Sequence, residues 1–421
     1  MVREAVSRST PAVYDVSPLR ESEVDTFFDI DAAAFGAHMS KGFEDLVRKG
    51  MSFDRIAASR EAGVAVGTAA SEKSALTVPG LARVPAAMVV AVAVLPSHRR
   101  QGRLTSLMEY QLADLRARGE IAAALYASEG GIYGRYGYGP ATFGSTYTID
   151  KRVAQLAPSI GEVASGRVRL VKRAVAAEAF PAVYRDYATT RAGELDRAEV
   201  DFVTALGEPG AEELSRRFYA LYEQDASIDG YVAYEIAPAE PTPHSPHRLV
   251  VHEICTLSPA AYAAIWGFML GIDLTVELVA SGRPVDEPIR WSLLEPRQLR
   301  CTFSGDRTWV RLVDVGSCLR ARRYWSTGDL VIDVHDPFCR WNTGRYRLIV
   351  EDDSGAAEVT RTDAEADIEL DVSSLASIYL GGVPALELAQ AGRIRQLETG
   401  SVPLLGRMFA NDRAPYCLTP F

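Results

Sequence analysis

The sequence predicts a mixed α/β chain built from three successive units. Three observations carry that reading. An apolar strand, Val92-Ala93-Val94, runs into a cationic loop around Gly102 and then into a helix with Leu104, Leu107, Met108, Leu112 and Leu115 at helical spacing. A second strand–helix joint, Cys255-Thr256-Leu257-Ser258-Pro259, repeats the order without a glycine or an arginine cluster. From about Phe303 onward, strand-like runs give way to two helices divided by Gly381-Gly382.

The first unit, residues 1–157, opens with a helix expected over 17–36, where Ser22 and Asp25 fit a capping box. A helix over Phe43–Lys49 follows, then strands over Val64–Ala70 and Ala86–Val94 around the breaker Val78-Pro79-Gly80. The Leu104–Arg118 helix is closed by Gly119. A strand over Ile121–Ala127, a glycine-rich turn over Ser128–Gly139 and a strand over Thr142–Ile149 complete the unit. The second unit, 158–301, reads as a strand (Arg167–Lys172), helices (Ala177–Thr189 and Glu212–Gln224), an exposed proline-rich loop (Pro238–Pro246), a strand (Arg248–Leu257) and a helix (Ala260–Leu270). The third, 302–421, reads as strands over Trp309–Val313, Asp329–Val334, Gly344–Glu351 and Ala366–Leu370, with helices over Ser373–Leu380 and Val383–Ala391. Its apolar, proline-bearing tail, Pro403–Phe421, reads as tucked in.

With 421 residues, 48% apolar and 24% charged, the chain can fill large cores. A net charge of −10 argues against nucleic acid as the main partner and suits cationic small molecules. The five cysteines are odd in number, widely spaced and without a CxxC pair, so neither a disulfide framework nor a metal site is expected, and reduced thiols in the cytoplasm are the default. Met1–Tyr14 lacks the apolar segment of a secretory signal. No apolar run approaches the roughly 20 residues that span a bilayer.

The Gly102 loop has the makings of a diphosphate site. Glycine lets the backbone approach closely, and the free N–H groups and dipole of the following helix attract an anion. The loop is neither a Walker motif nor the GxGxxG fingerprint. With Arg99, Gly102 and Leu104 at its fixed places it is close to the R/Q-x-x-G-x-G/A loop of GNAT acyltransferases, Leu104 departing from the small residue expected last. The second constellation, Ser128 to Pro140, follows the next strand and offers Tyr133 as an acid. A phenol with a pKa of about 10 stays protonated at neutral pH, ready for a departing thiolate. Tyr136 and Tyr138 read as packed aromatics. The remaining candidates are weaker: His98 beside the arginines, His244 and His247 in the proline-rich loop, isolated His38, His252 and His335, and the Asp333-His335-Asp336 cluster, which reads as a turn. Arg320, Arg322 and Arg323 read as a solvated basic face.

The Val92–Val94 strand, His98-Arg99-Arg100, Gly102 and the long run from Ala127 to Thr142 together resemble the enhanced intracellular survival (Eis) family of GNAT acetyltransferases. Trp309–Val315, Ser377–Gly382 and the final Phe421 extend the resemblance along the chain. It implies two tandem GNAT-like domains, the second without a cofactor loop, followed by a sterol-carrier-protein-like α+β domain, and a homohexamer. It also implies that acetyl-CoA lies along Val92, Ala93 and Val94, with its diphosphate on Arg100, Gln101, Gly102, Arg103, Leu104 and Thr105 and with Ser128 and Glu129 at its border. Tyr133 would be the general acid and the Phe421 carboxylate the general base; the alternative for that carboxylate is simple attraction of a cationic substrate. Implied acceptors are aminoglycoside-like polyamines and lysine side chains. Pro420 stands where aminoglycoside-acetylating relatives carry an acidic residue, and Asp25, Asp29 and Asp31 are the candidates to compensate. The rival from another class is a non-catalytic lipid- or partner-binding protein with the GNAT units as scaffold.

Overall fold

A computed structural model describes residues 14–161, 166–208, 216–239 and 245–421. Among them, strands assemble into three sheets. The first runs, in spatial order, Asp15–Pro18, Ile56–Glu61, Val64–Thr77, Arg83–Val94, Ala122–Tyr126, Thr308–Leu312 and Gly139–Pro140. The second runs Arg167–Val171, Arg217–Gln224, Ser227–Pro238, His247–Thr256, Thr275–Pro284, Phe143–Asp150 and Leu299–Asp306. The two orders are the same. In each, the fourth and fifth strands are parallel and are joined by a crossover helix, Arg103–Ala117 in the first and Pro259–Leu270 in the second.

Each sheet takes its sixth strand from outside its own stretch of chain. Phe143–Asp150, expected in the first unit, pairs with Thr275–Pro284 in the second sheet. Thr308–Leu312, expected in the third, pairs with Ala122–Tyr126 in the first. The sheets therefore do not follow the linear boundaries at 157/158 and 301/302. Hydrogen bonds pin the crossing point: the Ala141 and Thr142 N–H groups donate to the Thr308 carbonyl at 3.0 and 3.2 Å, and the Thr308 N–H donates to Thr142 Oγ1 at 2.9 Å.

The third sheet (Glu358–Arg361, Gly344–Val350, Gly328–His335, Ile368–Asp371, Ile394–Gln396) joins the first through the Val372–Tyr379 helix. Leu375, Ile378 and Tyr379 share one buried cluster with Met88 and Val310 of the first sheet and Ile332 and Leu348 of the third. The approach is close: a Cβ on Gly139 would lie 2.1 Å from the Ser373 carbonyl oxygen, so no other residue fits there.

Several expected elements differ. Residues 15–18 form an edge strand, and the helix begins at Val24; the Glu23 carboxylate, not a Ser22/Asp25 box, accepts the Arg20 N–H at 2.9 Å and is paired with buried Arg60. The helix expected over 212–224 is a strand from Arg217 onward, its first residues lying outside the described ones. Both faces of that strand are covered, Tyr219 and Leu221 on one side and Ala220 and Tyr222 on the other. The resulting continuous apolar run has lost the alternation that marks a strand. Arg322 is wholly buried rather than solvated; it donates to the Tyr379 and Phe409 carbonyls at 2.5 and 3.2 Å and lies over the Tyr324 and Phe409 rings. Asp336 is equally buried and paired with Arg311 at 2.6 Å, which fastens the third unit to the strand it lends the first sheet. The expected tuck of the tail is met: Tyr416 to Thr419 are buried.

Candidate active site

The parallel pair at the centre of the first sheet opens into a wedge. Arg83–Val94 pairs with Ala122–Tyr126 at Ala86↔Ala122, Ala87↔Ala123 and Met88↔Ala124 and no further. Past Met88 it follows Val64–Thr77 alone, through a bulge at Ala91, whose φ is +47°. Thr68 Oγ1 donates to the Ala91 carbonyl at 3.3 Å and holds the bulge. A bulge bends its strand and sharpens the twist. Here it swings the edge of Val92, Ala93 and Val94 away from its neighbour and leaves backbone groups facing the gap.

At one mouth of the wedge stands the cationic loop. Arg100 and Gly102 both have left-handed backbones, φ +62° and +93°. A Cβ on Gly102 would meet nothing closer than 3.6 Å, so conformation rather than space calls for glycine. Gly102 caps the Arg103–Ala117 helix, and its carbonyl accepts the Ser106 N–H at 3.2 Å. The N–H groups of Arg103, Leu104 and Thr105 are left pointing out of the helix end. Arg103 contributes only that N–H. Its side chain is buried, paired with Glu61 at 2.6 Å, donating to the Arg60 carbonyl at 3.2 Å and stacked on Tyr14, so it is not a free cation for phosphate. Glu61 also takes His98 Nε2 at 2.7 Å. Arg99 donates to the Ala34 carbonyl at 3.0 Å, and the Tyr14 hydroxyl donates to the Gln101 carbonyl. The loop is thus held from outside by Glu61 and Tyr14, neither of which lies in a recognisable motif. Arg100 and Gln101 stay exposed.

Tyr133 closes a short helix, Gly130–Tyr133, just beyond the Ala122–Tyr126 strand. It is buried in an apolar cluster against which Val92 of the open edge and Leu104 of the loop helix also pack. Its ring stands edge-on to Tyr138, and its carbonyl accepts the Tyr138 N–H at 3.3 Å. Burial holds the phenol above the usual tyrosine range, against a smaller opposing pull from the Ser128 hydroxyl. Ser128 and Glu129 are exposed beside it. Tyr136 packs on Phe338 and Tyr138 is fully buried, as expected of core aromatics.

The end of the chain reaches Tyr126, at the end of the strand that precedes the Gly130–Tyr133 helix. The Phe421 ring packs edge-on against Tyr126, centroids 5.1 Å apart, and the Arg307 guanidinium lies over the Tyr126 ring at 5.2 Å. Beside the bulged strand, Phe27 and Ile30 of the Val24–Phe35 helix cluster with Ala93, Val90 and Leu95. The opposite side of that helix borders a cavity of about 260 Å³ lined by Asp25, Asp29, Asp31, Phe28, His38 and Glu44. Arg48 engages Asp25 at 2.6 Å and Glu44. Asp31 is largely buried, and desolvation raises its carboxyl above the ordinary range.

The second sheet builds its parallel pair differently. At the matching joint, Ser258 Oγ accepts the Ala261 N–H at 3.1 Å and Pro259, at the first helical position, has no N–H to offer. Of the three amides that are free after Gly102, the first is here missing and the third capped. Elsewhere, His252 pairs with Glu235 and His335 with Glu369, His247 begins a strand, and His244 lies outside the described residues. Among the described residues no helix is long and apolar enough to cross a membrane, and no group of three or more His, Cys, Asp or Glu could hold a metal ion.

Residues 15–141 and 193–312 each match a model of the acetyltransferase (GNAT) domain, and residues 315–418 match the sterol carrier protein domain. An uncharacterized N-acetyltransferase of Streptomyces coelicolor is 37% identical over 405 residues, 94% of this chain and 97% of that one. The N-acetyltransferase Eis of Mycobacterium tuberculosis is 35% identical over 348 residues, 80% of this chain and 81% of that one. The crystal structure of Eis1 from Mycobacterium abscessus superposes with a TM-score of 0.85 at 31% identity, covering 97% of this chain and all of that one.

Proposed function

The chain belongs to the Eis family of N-acetyltransferases, and from that premise we propose that it moves an acetyl group from acetyl-CoA to cationic amines at the wedge of the first sheet. The single observation that carries the reading is the wedge itself. Three outward amides follow Gly102, Tyr133 shares the apolar cluster of the helix they begin, and Phe421 meets Tyr126 at the end of the neighbouring strand.

The residues present fit the cofactor. An extended chain of amides suits the unpaired strand edge at Val92, Ala93 and Val94. A diphosphate suits the amides of Arg103, Leu104 and Thr105, with exposed Arg100 and Gln101 beside them and Ser128 and Glu129 on the far border. The cofactor supplies an acetyl group activated as a thioester. The Phe421 carboxylate takes a proton from the acceptor amine, a backbone N–H near Val94 stabilises the charge that develops on the carbonyl oxygen, and Tyr133 gives its proton to the departing sulfur. The buried environment of Tyr133 supports that role, because a phenol held above its usual range keeps its proton until the sulfur demands it.

The acidic cavity along the Val24–Phe35 helix is the acceptor pocket in this reading. Its carboxylates suit aminoglycoside-like polyamines or lysine side chains, and Asp25, Asp29 and Asp31 together stand in for the charge that Pro420 does not bring. The second unit is read as carrying no cofactor, since Pro259 and the Ser258 cap remove two of the three amides at its matching helix end. A cytoplasmic setting, expected from the cysteine pattern, and a homohexamer, implied by the resemblance, complete the proposal.

Acetyl-CoA titrated by calorimetry, followed by free-thiol release with and without a polyamine, tests the reading. Saturable binding and acceptor-dependent release are expected. No binding, or release indifferent to the acceptor, contradicts it.

A further inference from the structure

The second unit has the architecture of the first but a blocked helix end, which leaves its role open. The path of the last residues suggests one. From Ala414 to Thr419 the tail lies along the segment 191–197 of the second unit. Arg191 donates to the Ala414 carbonyl at 2.9 and 2.7 Å, and the Tyr416 N–H donates to the Ala192 carbonyl at 2.9 Å. The tail backbone runs flush against Gly193, where φ is +99° and a Cβ would sit 2.8 Å from the Tyr416 carbonyl oxygen. The Leu418 N–H donates to both oxygens of Glu194 at 3.1 Å. Thr419 Oγ1 accepts from Arg197 Nε at 2.8 Å and lies 2.9 Å from the Tyr184 hydroxyl.

These anchors are deep. Glu194 and Thr419 have no exposed surface. Arg197 is locked in turn by a two-pronged pair with buried Glu253, at 2.9 and 3.0 Å, and Tyr231 donates to the same carboxylate at 2.6 Å. Buried carboxylates and guanidiniums are costly unless every group is satisfied, so this network is sharply defined in space. The same segment is stitched to the first sheet. The Thr77 N–H donates to the Glu194 carbonyl, and the Gly193 N–H donates to the Thr77 carbonyl, both at 2.8 Å. Thr77 ends the strand beside the open one. One short stretch thus grips the tail with its side chains and the catalytic sheet with its backbone.

We propose that the second unit serves as a cradle that places Phe421, and that Glu194 and Thr419 are positioning residues for its carboxylate. Only Pro420 lies between Thr419 and Phe421, whose Cα atoms are therefore at most about 7 Å apart, so fixing Thr419 narrows where the base can stand. The inference rests on the reading of the Phe421 carboxylate as the base.

The test compares Glu194→Ala, Thr419→Val and a chain lacking Phe421. Thr419→Val keeps the side-chain shape and guards against a folding failure in Glu194→Ala. Three readouts are taken: acetyl-CoA affinity, kcat by thiol release, and the rate at which a carboxypeptidase frees the last residue. In both point variants acetyl-CoA affinity is expected to stay within twofold, kcat to fall tenfold or more, and carboxypeptidase release to quicken by a similar factor. Adding Glu194→Ala to the chain without Phe421 is expected to cost nothing further. If loss of Phe421 abolishes turnover while both point variants keep kcat within twofold, the cradle inference is overturned and the base stands. If loss of Phe421 leaves kcat unchanged, the base reading fails and this inference goes with it.

Discussion

The Phe421 ring meets the Tyr126 ring edge-on, with centroids 5.1 Å apart and planes at 79°. Tyr126 ends the strand that precedes the Gly130–Tyr133 helix, so this contact ties Phe421 to the strand that leads to the proposed acid. An edge-to-face pair contributes about 0.5–1.5 kcal/mol beyond its area. Tyr126→Ala is expected to lower kcat several-fold with acetyl-CoA affinity unchanged, whereas Tyr126→Phe keeps the ring and most of the rate. Steady-state kinetics with calorimetry checks both.

Tyr133→Phe removes one hydroxyl from a buried site. General acids contribute roughly 10²- to 10⁴-fold. A fall in kcat of at least about 10² is expected, with acetyl-CoA affinity unchanged, measured by thiol release at saturating substrates. A full rate in Tyr133→Phe excludes the phenol as the acid.

Gly102→Ala adds a side chain where space is open but the backbone is left-handed. That conformation costs a non-glycine residue roughly 1–2 kcal/mol. Relief of the strain turns the first amides of the helix away from the diphosphate. Acetyl-CoA affinity is expected to weaken about tenfold by calorimetry, while affinity for an amine acceptor is unaffected.

Burial pushes the Glu194 carboxyl from 4.5 up to about 7, against the Leu418 N–H, Arg197, Tyr184 and Arg191, which pull it down. Tyr187 from the same helix as Tyr184, Cys255 from the neighbouring strand and Cys417 from the tail also face it. A carboxyl raised by folding stabilises the folded state while it is protonated. That contribution is complete below 4.5 and is lost as pH rises through about 7. The shift corresponds to something on the order of 3 kcal/mol. Glu194→Gln is neutral at every pH and is expected to narrow the difference in melting midpoint between about pH 5 and about pH 8. An unchanged difference contradicts the assignment.

Local patterns made much of the site readable in the sequence. Gly102 and the leucines of the helix after it marked the loop, and the unusual run around Tyr133 marked the proposed acid. Several physical effects hid the rest. The partners that fix the site are distant in sequence and generic in type: Glu61 holds Arg103, and Glu194 holds Leu418 from more than two hundred residues away. Arg103 looked like a phosphate ligand because a cation in a loop is ordinarily solvated, yet tertiary packing buried it. The exchange of Phe143–Asp150 and Thr308–Leu312 left no mark either, because a strand's pattern records that one face is covered, not which sheet covers it. The strand over Arg217–Gln224 was hidden by its own burial on both faces.

The most direct test of the two-ended site is the rate of CoA thiol release by the untagged chain against the same chain extended by one residue after Phe421. The extension moves the terminal charge by one residue and leaves the Gly102 loop and Tyr133 in place. The expected result is undiminished acetyl-CoA affinity with kcat reduced at least tenfold. Equal rates for the two chains would contradict the account.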